Sequence, residues 1–204
     1  MSVLTKHRRI GLFGGAFDPP HLAHEALVKA AISELALDRL LVVPTGQAWH
    51  KPRELTSAAH RLAMAQLAFA HLPQVTVDTR EIERLGLSYT IDTLREMVAL
   101  EPDAEWFLIM GADQARVLTT WRDWQQILQL ATICVAFRAD STRDSTLFDA
   151  EKMFPERFLH LNMPAMPLSA TQIRASLSAE EPVNTLVSEA VARYIADHHL
   201  YHSN

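Results

Sequence analysis

Two histidines three residues apart stand in the run Gly14-Gly15-Ala16-Phe17-Asp18-Pro19-Pro20-His21-Leu22-Ala23-His24, just after a short apolar segment. Glycine lets a backbone come close to a ligand. Proline suits the mouth or first turn of a helix, where a missing N–H costs little. A helix starting there places His21 and His24 on one face. Backbone amides, a positive helix end and two imidazoles then meet in one place, which suits a phosphate. The plainer alternative is a strand–turn–helix with surface histidines.

Two further clusters offer related chemistry. Pro44-Thr45-Gly46-Gln47-Ala48-Trp49-His50-Lys51 follows a second apolar run and sets an imidazole beside a cation, with Lys51 either a phosphate ligand or a solvated charge. In Leu168-Ser169-Ala170-Thr171-Gln172-Ile173-Arg174, Ser169 can cap a helix whose first amides receive an anion. Arg174 lies one turn and a little further on, as an added cation or as an exposed arginine on a plain capped helix.

These clusters need elements to hold them. Apolar runs at Arg9–Phe13, Leu40–Val43, Val75–Val77, Trp106–Met110, Ile133–Phe137 and Phe158–Leu161 read as strands. Helix-like stretches cover His21–Ala36, Ser57–Ala70, Ile91–Leu100, Ala170–Leu177 and Val183–Ala196. The alternation predicts an α/β fold with a doubly wound, mostly parallel sheet and a helical C-terminal third. Ligands of such sheets lie beyond the carboxyl ends of the strands. The segments after Phe13, Val43, Met110 and Leu161 would fall there. Arg138–Ser145 reads as a surface loop.

The bulk properties exclude several classes. A chain of 204 residues, 49% hydrophobic and 21% charged, is long enough to bury a core within one domain. A formal net charge of −5 argues against broad nucleic-acid or membrane-surface binding, while allowing a local basic pocket. The single cysteine, Cys134, cannot form an internal disulfide. No secretory h-region opens the chain and no apolar run reaches bilayer length, which points to a cytoplasmic protein.

The first cluster resembles the GG[ST]FDPxHxGH signature of the HxGH nucleotidylyltransferases. The Ser169–Arg174 cluster resembles their ISSTxIR signature, which holds the β- and γ-phosphates of a nucleotide. Ser88-Tyr89-Thr90-Ile91-Asp92-Thr93-Leu94 is similar to the SYTxxTL stretch of nicotinate-nucleotide adenylyltransferases, and Gly111-Ala112-Asp113 followed by Trp121 to that family's GAD…W block. The likeness runs from about Arg9 to Tyr194, with the motifs in the family's order. It implies a Rossmann-like nucleotidylyltransferase fold in a single domain, 1–204, with helices at about 169–200 packed on it. It also implies adenylyl transfer from ATP to nicotinate mononucleotide, giving nicotinate adenine dinucleotide and pyrophosphate in NAD biosynthesis.

By the same resemblance, His21, His24, Lys51 and Arg174 are expected to be catalytic. ATP contacts are expected from Gly14, Gly15, Ala16, Phe17, His21, His24, Gly111, Asp113, Ser169, Ala170, Thr171 and Arg174. Pyridine-nucleotide contacts are expected from Phe17, His50, Lys51, Tyr89, Thr90 and Trp121. Trp121 would stack on the pyridine ring, amides at the start of the Thr90 helix would receive its carboxylate, and Asp113 would meet the nucleotide sugar. In isolation, an indole such as Trp121 is usually packing, and Asp113 reads equally as a helix cap. Trp106, Trp124 and Trp49 read as packing or loop residues. Mg²⁺ would accompany ATP without a dedicated protein cage, and the oligomeric form is left open, a homo-oligomer included. The chain departs from the family pattern at Ala16, where Thr or Ser is usual, at Ala23, where Gly is usual, and at Ala48-Trp49, where two prolines are usual.

Three other readings share some of these residues. Another small-molecule adenylyltransferase, such as pantetheine-phosphate adenylyltransferase, would keep the two phosphate signatures but lack the Tyr89-Thr90 block. A nucleotide sensor without turnover would keep the binding ends alone. His-x-x-His could chelate zinc, but no HExxH motif or cysteine cluster accompanies it.

Overall fold

The computed structural model describes residues 7–48, 55–136, 148–164 and 166–201. In chain order they form β1 (Arg9–Gly15), α1 (Leu22–Glu34), β2 (Arg39–Pro44), β3 (Gln47–Ala48), α2 (Ala58–Phe69), β4 (Val75–Val77), α3 (Arg80–Glu83) and β5 (Leu87–Ser88). Then follow α4 (Thr90–Leu100), β6 (Glu105–Gly111), α5 (Ala112–Arg116), α6 (Trp124–Leu130), β7 (Thr132–Ala136), α7 (Asp149–Met153), β8 (Phe158–Leu161), α8 (Ala170–Ser178) and α9 (Glu189–Asp197).

Six strands make one parallel sheet in the order β4-β2-β1-β6-β7-β8. β1 lies between β2 and β6, with Leu12 opposite both Leu41 and Leu108. The chain winds outward from β1 through β2 to β4, then returns to the other side of β1 at β6. The strand order reverses between β1 and β6, and a crevice opens beyond their carboxyl ends. This is the doubly wound sheet that the sequence predicts.

The strands are near-continuous apolar runs because helices cover both faces. Alternate residues serve opposite layers. Phe13, Leu40, Val42, Phe107, Ile109 and Cys134 pack with α1, α2, α8 and α9. Ile10, Leu12, Leu41, Val43, Trp106, Leu108 and Ile133 pack with α4, α5, α6 and α7. Trp106 is buried in the second layer, and Trp124 packs there edge-on to Phe154. Cys134 is a free, buried thiol, and burial pushes its pKa up to about 12.

One helix begins later than the periodicity predicts. Val183 and Val187 are buried at helical spacing, yet the stretch between Pro182 and Ser188 is a turn segment, and α9 starts only at Glu189. Ser188 Oγ caps it, accepting from the Val191 N–H at 3.4 Å. The irregular stretch leaves the Leu186 carbonyl outside a helix, where it accepts the Leu22 N–H of α1 at 3.0 Å. The expected loop Arg138–Ser145 and the strand end at Phe137 lie outside the described residues.

Candidate active site

The loop from β1 to α1 is tied down at nearly every residue. Gly15 O accepts the Thr45 N–H at 2.8 Å, and Ala16 O accepts Arg61 Nη1 at 3.0 Å. Phe17 has φ +48, a left-handed conformation that costs energy for a side chain of this size. Its ring is buried edge-on against Phe13, Phe69 and His24, which holds it there. Asp18 is 1% exposed; its carboxylate accepts the Tyr201 hydroxyl at 2.6 Å and the Thr56 N–H at 3.3 Å.

His21 is not a residue of the helix. It occupies the capping position of α1 with an extended backbone, and Pro19 and Pro20 precede it. Its N–H donates to Nδ1 of His24 at 3.1 Å, so an imidazole takes the place that Glu or Gln holds in a capping box. The two rings stack with centroids 3.7 Å apart and planes 20° from parallel. The Leu22 and His24 amides go to Leu186 O and His21 O. Those two amides are thereby engaged within the protein, while both histidines line the cavity. Ala23, where the family has Gly, lies within regular helix.

On the far side, β3 pairs with β5 and brings the segment after β2 against the start of α4. Gly46 allows this approach, since a Cβ there would stand 2.0 Å from the Glu81 carbonyl oxygen. Tyr89 caps α4 with an extended backbone and Thr90 is the first helical residue. The Arg122 guanidinium lies 4.9 Å from the Tyr89 ring centroid, and Trp121 beside it is half-buried. Glu81 is buried on this wall and accepts the Thr93 hydroxyl at 2.7 Å. Burial pushes its carboxyl above the usual range, against the pull of bonds from Thr93 and Thr45.

Between these walls, Gly111 ends β6, and a Cβ there, as at Gly14, would meet nothing within 4 Å. Asp113 is not a cap: Gly111 holds that position, and Asp113 sits in the first turn of α5, its Oδ1 3.4 Å from Arg116 Nη1. Ser169 caps α8 as expected, accepting the Gln172 N–H at 3.2 Å. Arg174 donates to Asp18 O at 2.8 Å and to Thr171 Oγ1 at 3.1 Å, which links α8 directly to the β1–α1 loop.

All these segments line one cavity of about 1050 Å³ above β1 and β6. It gathers Gly14, Gly15, Ala16, Phe17, His21, His24, Tyr89, Thr90, Gly111, Asp113, Trp121, Ser169, Ala170, Thr171 and Arg174. His50 and Lys51 lie outside the described residues. Thr45 of the second cluster lines the cavity, and Glu81, Gln114, Arg116 and Arg122 do so without having been singled out in the sequence. So does Met163, beyond β8. Among the described residues, no helix is long and apolar enough to cross a membrane.

Comparison with known proteins agrees with this fold. Residues 12–176 match the cytidylyltransferase-like family model. A probable nicotinate-nucleotide adenylyltransferase of Albidiferax ferrireducens is 64% identical over 194 residues, covering 95% of this chain and 98% of its own. That of Methylibium petroleiphilum is 44% identical, covering 97% and 94%. The fold matches that of Plasmodium falciparum nicotinic acid mononucleotide adenylyltransferase complexed with NaAD, with a TM-score of 0.75, 21% identity and coverage of 96% and 98%. With the family model matching residues 12–176 and the likeness extending over almost the whole chain, the protein belongs to the nicotinate-nucleotide adenylyltransferases of the cytidylyltransferase-like family.

Proposed function

We propose that this chain transfers the adenylyl group of ATP to the 5′-phosphate of nicotinate mononucleotide. A phosphate oxygen of the mononucleotide bonds to the α-phosphorus, the bond from that phosphorus to the β-bridging oxygen breaks, and pyrophosphate leaves. The products are nicotinate adenine dinucleotide and pyrophosphate. The attacking phosphate is already an anion at neutral pH, so no side chain need deprotonate it. Catalysis then rests on alignment and on charge neutralisation.

The cavity lining and the sequence motifs together support the following roles. With Nδ1 of His24 accepting a backbone N–H, its neutral tautomer carries the proton on Nε2, a donor for the α-phosphate. His21 stacks beside it. The α8 end at Ser169–Thr171, with Arg174, receives the β- and γ-phosphates and then the leaving pyrophosphate. Gly14, Gly15, Ala16 and Phe17 form the wall beside the triphosphate, and Gly111 and Asp113 meet the nucleotide sugar. Tyr89 and Thr90 receive the pyridine carboxylate and Trp121 stacks on the ring, and the sequence motif assigns His50 and Lys51 to the same nucleotide, with Lys51 screening the reacting phosphates.

Mg²⁺ accompanies the nucleotide. Among the described residues, no three His, Cys, Asp or Glu side chains are grouped to hold a metal, and of the cavity's carboxylates Asp18 and Glu81 are buried on protein donors while Asp113 is exposed. That donor set suits an ion carried mainly by phosphates and water. When bound, it supplies charge neutralisation for the triphosphate. The enzyme works in the cytoplasm, on small nucleotides rather than on nucleic acid or membrane.

The observation that carries this reading is the single cavity joining the His21/His24 pair, the capped start of α8 and the Tyr89–Trp121 wall. The test is dinucleotide formation from ATP and Mg²⁺ with nicotinate mononucleotide or phosphopantetheine as acceptor. Turnover with the pyridine nucleotide supports it, and turnover with phosphopantetheine alone overturns it.

A further inference from the structure

We infer that Arg122 sets the preference of this site for an acid over an amide on the pyridine ring. The inference rests on the proposed function and concerns its acceptor half. Amide N–H groups at the start of a helix donate to the carbonyl oxygen of a carboxamide as well as to an oxygen of a carboxylate, so α4 alone gives limited discrimination. A neighbouring full charge does discriminate. It attracts the carboxylate, whereas the NH₂ of a carboxamide gains nothing from facing a cation.

Arg122 is placed to be that charge. It lines the cavity with Tyr89, Thr90 and Trp121. Its guanidinium lies over the ring of Tyr89, the residue that caps α4. The corner that carries it is held from behind: Asp123 is fixed at φ +50 as the cap of α6, and its carboxylate accepts Arg95 Nη2 at 2.9 Å. Arg95 also donates to Asp92 Oδ1 at 3.2 Å, in the first turn of α4. Arg122 Nη1 stands 3.7 Å from Asp92 Oδ2, in ion-pair range but beyond a hydrogen bond.

The charge balance of this cluster gives the argument its sign. Asp92 and Asp123 carry two negative charges and Arg95 and Arg122 two positive ones. Remove Arg122 and the net charge beside the start of α4 becomes negative, which repels a carboxylate and leaves a carboxamide nearly unaffected. Remove the charge of Asp92 and the balance tips the other way. The Arg122 side chain is 54% exposed, so its effect is modest and screened by salt.

The test measures kcat/KM for nicotinate mononucleotide and for its carboxamide counterpart, with ATP and Mg²⁺, in the wild-type protein and in Arg122→Gln, Arg122→Lys and Asp92→Asn. Arg122→Gln should lower the acid-to-amide ratio about five- to tenfold at low ionic strength through KM for the acid. Arg122→Lys should retain part of the ratio, and Asp92→Asn should raise it. The wild-type ratio should fall as salt rises, while that of Arg122→Gln should rise slightly, since salt screens the repulsion left by Asp92 and Asp123. An unchanged ratio in Arg122→Gln, or an equal loss for both acceptors, overturns the inference while leaving the proposed function standing. Failure of the wild-type protein to use either pyridine nucleotide would instead overturn the function itself. Should Arg122→Gln not fold, the Asp92→Asn ratio and the salt dependence of the wild-type protein decide the matter, and a flat response in both rejects the role.

Discussion

The N–H of His21 donates to Nδ1 of His24 at 3.1 Å, so the cap of α1 and the orientation of a candidate catalytic ring are one and the same contact. The ring is steadied on another side by the edge of Phe17, centroids 5.2 Å apart. A donor held this way needs little rearrangement as charge develops on a phosphate. His24→Ala should therefore lower kcat by about 10²–10³ or more, while the loss of a capping contact costs only about 1 kcal/mol of stability. Single-turnover kinetics alongside a thermal melt check both parts; near-normal turnover would remove His24 from the chemistry.

Tyr201 ties the end of the described chain to the phosphate loop by donating to Asp18 Oδ1 at 2.6 Å. Burial, followed by the charge of Asp18, pushes the phenol well above its ordinary pKa, so it remains a donor at neutral and mildly alkaline pH. Tyr201→Phe removes one donor from a carboxylate that is 1% exposed. The expected cost is about 1–3 kcal/mol, or roughly 3–8 °C in Tm. Because Arg174 donates to the carbonyl of the same Asp18, KM for ATP should also rise severalfold. An unchanged Tm in differential scanning calorimetry would show that the tie contributes nothing.

How much of this was legible in the sequence follows from how local each signal is. β1, β2 and β6 are short apolar runs bounded by Gly or Pro, and the loops after them carry unusual residue types, so strands and rim could both be read. The short helices α3, α5, α6 and α7 span four to seven residues, too few for a helical period to register. The two-residue pairing of β3 with β5 carries no pattern at all. The ties that shape the site are longer still in range. Asp18 and Tyr201 are 183 positions apart, and buried Arg61 joins Thr56, Ala16 and Gly46 through three carbonyls. A lone Arg in a helix reads as solvated, and only the fold reveals that Arg61 is 1% exposed. Arg122, in the turn before α6, also reads as a solvated charge, and only the fold sets it on the cavity beside Tyr89.

Trp121 is half-buried on the wall opposite the histidines, and its packing leaves part of the indole to the cavity. Stacking of a planar heterocycle on such a ring contributes about 1–3 kcal/mol. Trp121→Ala should raise KM for the pyridine nucleotide about tenfold and leave KM for ATP within about twofold. Initial-rate kinetics with each substrate varied in turn separate the two. A rise confined to ATP would assign Trp121 to the wrong half of the cavity.

Glu81 gives the wall behind Tyr89 and Thr90 a pH dependence of definite sign. Burial raises its carboxyl pKa above the value of the unfolded chain, so the folded protein holds the proton more tightly. Its contribution to stability is then fully present below the unfolded value and is lost as pH rises through the folded one. Glu81→Gln fixes the neutral form and keeps an acceptor for the Thr93 hydroxyl. Its amide can donate to Thr45, whose side chain bonds to Glu81 in the wild-type protein. The variant should therefore gain stability relative to wild type as pH is raised from about 5 to 8, read as a growing difference in Tm. The loss of attraction between Glu81 and Arg84 works against that gain, most strongly at the alkaline end where the carboxylate is charged. Paired thermal melts at the two pH values give the answer. A difference in Tm that stays constant, or moves toward wild type as pH rises, would mean that the carboxylate is stabilised by its hydrogen bonds and by Arg84 more than burial opposes it.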